Sequence, residues 1–372
     1  MGKRIKIVIS DFHIGSGHKK GAVNYYDEFI HDDLFAELLE HYSSGKHENE
    51  EVELIINGDF YDLIKVSVDG EFPDRITENI AVKKLKLCLD GHPKVTQALK
   101  KFAAKPGKSI TYLPGNHDID LLFPTAAELW KNAVATDESR ERIKVVTDRD
   151  SLVLEGGIHI HHGHQFEANN AFNYKKPFVT KSITGRTLEK PFLTLPWGTL
   201  FLLKVIIPLK PERFYIDHIR PFKNYVRWGL IYDTLFTIKL LSKGIYYFLR
   251  TRLNLLTQPS IPLAQGFREM IDSIVFYPSL ETFAFRILKR VRGVRTVIMG
   301  HDHYPRCRTF GDDKLYINTG TWVKMINLDA PNMGQSQQRP YAKIEYEDDS
   351  HPPLVTLLDW RGKYKISHPI WF

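Results

Sequence analysis

Short apolar runs rich in β-branched residues recur along this chain, and a polar motif follows most of them. The runs cover residues 5–9, 53–56, 109–113, 158–160, 297–299 and 315–317. Runs of this length, bounded by Gly, Asp and Asn, are typical of strands that are buried on both faces. Sites in open α/β sheets form beyond the carboxyl ends of the strands, so these polar motifs can converge at one place.

Helical patterns lie between the predicted strands, and they favour a layered α/β fold. They cover residues 32–41, 78–89 and 92–103. Near the end of the chain, residues 342–347 and 354–360 alternate apolar and polar side chains, which predicts a closing antiparallel pair. The chain has 372 residues, of which 43% are hydrophobic and 26% charged. This composition suits a packed core, in one large domain with an insertion or in two domains.

The first two motifs supply carboxylates and an imidazole. Asp11 and His13 follow the first predicted strand, and residues two apart on an extended backbone point the same way, so this pair can hold one ion. After the second strand, Gly58 permits a tight turn, Asp59 could bridge two cations, and Asp62 could orient a ligand from behind. Each motif taken alone could also be an ordinary turn.

The third motif is Gly115-Asn116-His117-Asp118. The Asn116 side chain offers a neutral oxygen ligand. His117 could donate a proton to a leaving alkoxide or hold a phosphoryl oxygen. Asp118 is expected to fix the tautomer of His117.

The fourth motif contains four histidines within residues 159–164. His162, next to Gly163, is the best ligand candidate. His159 and His161 share one side of a strand and are interpreted as packed or exposed. His164 and Gln165 are candidates for supporting the site or binding substrate.

Two further motifs lie near residue 300. His301 and His303 follow Gly300 and are again two apart, an arrangement that suits a transition metal. Asn318, after the last of these strands, is interpreted as part of a turn that supports the site.

Taken together, the motifs supply more donors than one tetrahedral metal site needs. The candidate ligands are Asp11, His13, Asp59, Asn116, His162, His301 and His303. With Asp59 shared, they divide into two sites, and two ions about 3.5–4 Å apart can clamp a phosphoryl group. Imidazole and carboxylate without thiolate favour Mn, with Fe, Zn or Co as alternatives, over Cu(I) or an iron–sulfur cluster.

In this order, the motifs resemble those of the calcineurin-like metallophosphoesterase superfamily. The resemblance implies a four-layer fold, a two-sheet β-sandwich flanked by helices. It implies one metal on Asp11, His13, Asp59 and His303, and a second on Asp59, Asn116, His162 and His301. It also implies a catalytic His117 with Asp118 behind it, and in-line attack on phosphorus by a hydroxide that bridges the metals.

The sequences around Asp11, Asp59 and His162 are similar to those of UDP-2,3-diacylglucosamine pyrophosphohydrolases, which act on a lipid precursor at the inner membrane. Those enzymes also carry a helical insertion before the Gly-His-x-His motif. Two features differ: this chain has His117 where they usually have Arg, and its insertion is longer. Both differences bear on the substrate rather than on the metal ligands.

The positive charge of the chain is concentrated in residues 165–260, which we call the basic segment. It contains 15 Lys and Arg against 5 Asp and Glu, and the whole chain has a net charge of +7. Residues 200–209 are too short, and too interrupted by Lys204 and Pro208, to span a bilayer, which takes about 20 apolar residues. Residues 225–252 are helix-like and mix apolar, aromatic and basic side chains, which suits an anionic membrane surface, a substrate cap, or an ordinary lid packed on the core. Nucleic-acid binding is a further alternative.

These observations predict a core in residues 1–164 and 293–372 with an inserted segment at 165–292. We expect a cytoplasmic hydrolase, or one bound peripherally to the inner face of a membrane. Its substrate would be a phosphorylated small molecule or lipid, containing a phosphoester or pyrophosphate bond. The rivals are a nuclease or nucleotide phosphodiesterase, and a non-catalytic scaffold of the same fold. The native metal, the substrate and the oligomeric state stay open, and Cys88 and Cys307 are expected to be reduced thiols.

Overall fold

Two β-sheets form the centre of the fold. The computed structural model describes residues 4–18, 23–182, 185–253, 279–311, 313–329, 333–347, 351–363 and 368–369. The first sheet contains β1 (Arg4–Ile9), β2 (Glu51–Asn57), β3 (Lys108–Leu113), β4 (Ile143–Val145), β15 (Pro340–Tyr346), β16 (Leu354–Asp359) and β17 (His368–Pro369). The second contains β5 (Ser151–Leu154), β6 (Ile158–His161), β10 (Thr296–Met299), β11 (Pro305–Phe310) and β12 (Lys314–Thr319).

The strand order brings the carboxyl ends of the motif-bearing strands to one edge. The seven-stranded sheet runs β17-β16-β15-β1-β2-β3-β4, and the five-stranded sheet runs β11-β12-β10-β6-β5. Strands β1, β2, β3 and β4 are parallel to one another. In the second sheet, β6, β10 and β12 are also parallel. Strands β15 and β16 are antiparallel, which confirms the predicted closing pair.

Alternation along β1 explains why both faces of the first sheet are covered. Ile5, Ile7 and Ile9 pack towards the helices, whereas Val8 belongs to the apolar layer between the two sheets. In that layer Val8 lies with Ile160 of the second sheet. Side chains of a strand point alternately to opposite faces, so a continuous apolar run is needed where both faces are buried. The predicted two-sheet sandwich flanked by helices is confirmed.

Helices cover the outer faces of the sandwich. Next to the first sheet lie α1 (Asp32–His41), α2 (Glu78–Gly91), α3 (Pro93–Ala104) and α4 (Pro124–Val134). The outer face of the second sheet is covered by α9 (Leu280–Arg290), whose Leu280, Ala284 and Leu288 pack with Val297 and Met299. Short 3-10 turns lie at Gly45–His47, Leu63–Lys65, Ile119–Leu122, Arg140–Arg142 and His164–Phe166.

The basic segment contains strands as well as helices. Its strands are β7 (Phe178–Lys181), β8 (Thr187–Leu193) and β9 (Ile219–Arg220), and β9 pairs with β13 (Met325–Asn327), which in turn pairs with β14 (Gly334–Ser336). Its helical part comprises α5 (Trp197–Phe201), a π-helical turn (Leu202–Ile206), α6 (Ile207–Leu209), α7 (Phe222–Tyr232) and α8 (Thr234–Leu253). Among the described residues, no helix combines the length and the apolarity that crossing a membrane requires.

Residues 225–252, predicted to be helix-like, are helical except at Asp233, where the chain breaks between α7 and α8. Asp233 has φ −143° and ψ 53°, outside the helical region. Its carboxylate accepts hydrogen bonds from Arg213 Nε at 2.8 Å and Nη2 at 3.0 Å, which hold it at the turn. Residues 254–278, which belong to the predicted insertion, lie outside the described residues, and the predicted boundaries at 165 and 292 stay predictions.

Candidate metal centre

The predicted ligands meet where the carboxyl ends of the two sheets face each other. Asp11 and His13 follow β1, Asp59 follows β2, and Asn116 follows β3. From the second sheet, His162 follows β6, and His301 and His303 follow β10. Side chains more than 280 residues apart in sequence are thereby brought within reach of one another, as between His13 and His303.

One group of ligand atoms comes from Asp11, His13 and His303. His13 Nε2 and His303 Nε2 lie 3.0 Å apart. Asp11 Oδ1 lies 3.5 Å from His303 Nε2 and 3.9 Å from His13 Nε2. These atoms converge as the donors of a transition-metal site do.

A second group comes from Asp59, His162 and His301. Asp59 Oδ2 lies 3.1 Å from His162 Nε2. The other ring nitrogen of His162, Nδ1, lies 2.7 Å from the Asn57 carbonyl oxygen and donates to it. A hydrogen bond of this kind fixes the tautomer of a metal-binding histidine and leaves its other nitrogen to face the ion.

Two observations show that these residues fit divalent cations. Asn116 Oδ1 is buried and has no hydrogen-bond partner among the described residues, so a cation there would satisfy an otherwise orphaned acceptor. Burial opposes a charge on His162, yet the Asp59 and Asp11 carboxylates raise the pKa of His162 to about 10. The centre therefore attracts positive charge, which is what a pair of divalent metal ions would bring.

Backbone strain is concentrated at the same residues. Six non-glycine residues of the described chain have positive φ, and five of them are predicted ligands: Asp11 at 55°, His13 at 51°, Asp59 at 52°, His301 at 70° and His303 at 66°. Left-handed conformations cost about 1–3 kcal/mol each and persist where the surroundings enforce them, commonly at functional sites. The clustering of five such residues at one place is typical of a functional site.

Glycines make room for the crowded donors. A Cβ on Gly58, which has φ 80°, would lie 2.4 Å from His162 Nδ1. A Cβ on Gly115 would lie 2.3 Å from Asp59 Oδ1. Neither position can take a larger residue without displacing a ligand.

His117 is oriented by Asp62, and the expectation that Asp118 would do so is wrong. His117 Nδ1 lies 2.9 Å from Asp62 Oδ1. This contact leaves the other ring nitrogen, Nε2, available, and His117 lines the cavity described below. Burial opposes protonation, but Asp62 and Asp59 raise the pKa of His117 above its usual value. Asp118 instead accepts from Phe60 N at 2.9 Å, and from Tyr112 Oη and Gly115 N at 2.5 Å each, because its side chain points into the core beneath the loop.

The remaining candidates lie around the centre. His164 is buried beside Phe172 and Tyr174, and its burial lowers its pKa well below the usual value. Gln165 donates to the Asp150 carbonyl at 2.8 Å and accepts from Gly163 N at 2.8 Å, so it braces the loop. Asn318 donates to the Gly300 carbonyl at 2.7 Å and accepts from Gly320 N at 2.8 Å, as expected of a supporting turn.

Sequence reasoning missed Glu167. Its Oε2 lies 2.8 Å from His301 Nε2 and so determines which nitrogen of His301 is left for a cation. Glu167 follows the fourth motif by only a few residues, but a single acidic residue there carries no periodic or motif signal.

A buried ionic cluster lies beside His117. Lys65 Nζ is 3.2 Å from Asp62 Oδ2, 3.1 Å from Glu28 Oε2 and 2.7 Å from Asp217 Oδ2. Lys210 Nζ also contacts Glu28 and lies 2.6 Å from Asp217 Oδ1. Glu28, Asp217 and His218 have donors close enough for a cation, but the two ammonium groups already neutralise the carboxylates.

A cavity of about 640 Å³ extends from the metal centre beneath the basic segment. One end is lined by His13, Asp59, Asn116, His117, His301 and His303. The basic segment contributes many apolar side chains to the remaining walls: Trp197, Phe201, Leu202, Ile206, Ile216, Leu240, Leu241 and Ile245. It also contributes charged side chains, among them Asp217, Arg220 and Lys223. Polar reactive groups and an apolar chamber therefore share one space.

A sandwich of two sheets with Asp, Asn and His donors gathered at the carboxyl ends of its strands is the architecture of a metallophosphoesterase. The family model described as calcineurin-like phosphoesterase matches residues 7–305. The chain belongs to the calcineurin-like phosphoesterase family. A comparison with curated protein sequences found no significant match.

Solved structures similar to this chain are distant in sequence. A dimetal phosphatase from Danio rerio is 12% identical, with 99% of this chain and 98% of that chain covered and a TM-score of 0.38. Phosphopantetheinyl hydrolase from Mycobacterium tuberculosis is 12% identical, with 86% and 90% covered and a TM-score of 0.30. A phosphoesterase of Streptococcus pneumoniae TIGR4, described as predicted, is 13% identical, with 100% and 98% covered and a TM-score of 0.29.

Proposed function

We propose that this protein hydrolyses a phosphoester or pyrophosphate bond in a substrate with an apolar tail, and that it depends on two divalent metal ions. The observation that carries the proposal is one cavity whose lining combines metal-type donors with many aromatic and aliphatic side chains of the basic segment. Pockets of this kind bind the apolar part of a ligand by burial and orient it through a few polar groups. A substrate without an apolar part would leave the chamber unfilled.

Each polar residue has a distinct task in this proposal. One metal would be held by Asp11, His13, Asp59 and His303, and the other by Asp59, Asn116, His162 and His301. Bound divalent ions supply Lewis-acid stabilisation of phosphoryl charge and acidify water. Manganese fits this donor set, as do iron, zinc and cobalt.

His117 acts on the leaving group. Asp62 holds Nδ1 at 2.9 Å, so the hydrogen bond selects the tautomer and fixes the ring. Protonated His117 can donate from Nε2 to the departing oxygen, or bind a phosphoryl oxygen as charge develops on it. The Asp62 and Asp59 carboxylates, which raise the pKa of His117, favour this protonated form.

The apolar chamber narrows the choice of substrate. A nucleotide-linked diacyl sugar such as UDP-2,3-diacylglucosamine joins a pyrophosphate bond to acyl chains, and the sequence motifs resemble those of the enzymes that hydrolyse it. Burial of each methylene contributes about 0.8 kcal/mol, so short acyl chains already distinguish such a substrate from a nucleotide. A nuclease would instead bind in a strongly salt-dependent way.

The test measures hydrolysis by the manganese-loaded protein. The substrates are an activated aryl phosphodiester, a nucleotide sugar and a series of acylated pyrophosphates of increasing chain length. We expect turnover of the aryl ester, and a kcat/KM that rises about fourfold for each added methylene until the chamber is filled. His117→Ala should lower kcat about 10²–10⁴-fold with metal content unchanged. His159→Ala, a half-buried histidine outside the cavity, is the matched control.

Two outcomes would contradict the proposal. Preference for single-stranded nucleic acid, with affinity falling steeply with salt, would favour the nuclease. No turnover of any phosphoester by protein that contains about two metal ions per chain would favour the non-catalytic scaffold.

A further inference from the structure

Helix α8 has two apolar faces, and in the described part of the chain only one of them is covered. Phe236, Leu240 and Phe248 are buried against the rest of the protein. On the opposite side, Leu235, Ile238, Ile245 and Leu249 recur at helical spacing, with exposed fractions of 86%, 49%, 48% and 42%. A surface helix of a globular protein is normally polar on the side away from the core.

Helix α7 continues the exposed surface. Ile231 and Tyr232 are 67% and 77% exposed, and Trp228 is 46% exposed. The Trp228 and Tyr232 rings stack with their centroids 5.7 Å apart. We call the following residues the α7–α8 face: Trp228, Ile231, Tyr232, Leu235, Ile238, Ile245, Tyr246 and Leu249. Contiguous exposed apolar surface of this kind marks a site of interaction.

The charges around the face are almost all positive. Arg227, Lys243 and Arg250 have no carboxylate partner in the part of the chain that the structure describes, whereas Lys239 pairs with Glu212 at 2.5 Å. At about 100° per residue, Lys239, Lys243 and Arg250 fall along one edge of the apolar stripe of α8. Asp233, the acidic residue between these two helices, is paired with Arg213.

The face is continuous with the cavity. Ile245 belongs to the exposed stripe and also lines the cavity, together with Leu241 and Gly244 of the same helix. An apolar chain that leaves a bilayer at this face could therefore reach the chamber along α8 without crossing water.

We propose that the α7–α8 face docks on the surface of an anionic phospholipid bilayer, with its apolar side chains among the acyl chains and its cations at the head groups. Aromatic and aliphatic residues bordered by Lys and Arg are the composition of helices that lie in the membrane interface. This proposal rests on the proposed function in one respect, which is that the bilayer would be the source of the apolar substrate.

The experiment is cosedimentation of the full-length, manganese-loaded protein with vesicles of phosphatidylcholine alone, or of phosphatidylcholine and phosphatidylglycerol in equal parts. We expect the anionic vesicles to bind at least about tenfold more tightly, since each basic residue near an anionic surface adds to the attraction. The double variant L235E/I238E should lose this binding. V153E is the matched control, because Val153 is 69% exposed on β5 and lies outside the face.

Hydrolysis of a soluble aryl phosphodiester, measured on the same samples, separates the two proposals. Unchanged hydrolysis by L235E/I238E shows that the variant is folded. If the wild-type protein binds vesicles but hydrolyses nothing, the proposed function is wrong and the docking proposal is still supported.

The docking proposal is overturned if the wild-type protein does not bind anionic vesicles, if it binds both kinds of vesicle equally, or if V153E loses binding as well. It is also overturned if the wild-type protein is a dimer that L235E/I238E converts to a monomer, because a second copy would then be the occupant.

Discussion

The Lys65 ammonium and the Asp217 carboxylate lie 2.7 Å apart (Nζ to Oδ2) in the interior, and they join the basic segment to His117. Lys65 Nζ is also 3.2 Å from Asp62 Oδ2, and Asp62 Oδ1 is 2.9 Å from His117 Nδ1. A side chain of the basic segment thus reaches His117 through two intermediate residues. Where the basic segment sits on the sandwich is therefore linked to the orientation of His117.

Removing Asp217 should affect both stability and turnover. In Asp217→Ala, Lys65 stays buried with one counter-charge fewer, and breaking a buried ion pair costs roughly 3–5 kcal/mol. Lys65 should then hold Asp62 less firmly, so kcat should fall more than KM rises. Denaturant titration and steady-state kinetics measure the two effects. Asp233→Ala removes the half-exposed pair with Arg213 in the same segment and should cost under about 1 kcal/mol. Equal losses in the two variants would contradict the linkage.

The two carboxylates near His117 should behave differently. Asp62→Asn removes the acceptor of His117 Nδ1, and kcat should fall about 10²-fold or more because the ring loses its fixed tautomer. Asp118→Asn places an amide where three donors converge, so it should destabilise the fold by roughly 1–3 kcal/mol. At a temperature where this variant is folded, its kcat should fall less than that of Asp62→Asn. Steady-state kinetics and thermal unfolding of both variants test these different effects on kcat and on stability. The opposite pattern would restore the role first expected of Asp118.

The buried His92 should make the free energy of unfolding depend on pH. Burial disfavours charged His92, but hydrogen bonds to Asp27 and Asp32 raise the pKa of His92 to about 9. Because the folded-state pKa is raised, the stabilisation is complete below the unfolded value of about 6.5 and is lost as pH rises towards 9. The loss should be up to roughly 3 kcal/mol. Denaturant unfolding between pH 6 and 10 measures it, and His92→Gln should flatten that part of the curve.

Metal binding should stabilise the fold. Ions that bind only the native state at about 100 times their Kd contribute roughly 2.7 kcal/mol, and here they would also neutralise the buried Asp11 and Asp59 carboxylates. Thermal unfolding with and without manganese measures the effect. Asn116→Ala should reduce the stabilisation by removing a ligand, whereas the exposed Asn132→Ala should leave it unchanged. A midpoint that is the same with and without metal would contradict a native metal centre.

Much of the sandwich could be predicted because its signals are local. Apolar runs such as 5–9 need both faces buried, and polar motifs directly after strands mark the edge where parallel strands end. The break at Asp233 was missed because the apolar pattern continues through it, and the residue that holds the turn, Arg213, lies 20 positions earlier.

The sequence motifs identify the donors, because Asp, Asn and His at the ends of strands could be recognised from spacing and turn residues alone. Their partners were decided by the packing of chain segments far apart. Asp62 rather than Asp118 reaches His117, Glu167 reaches His301, and Asp217 reaches Lys65, because hydrogen bonds and ion pairs depend on distances in space. The apolar chamber likewise depends on the tertiary structure, because α8 supplies part of its walls.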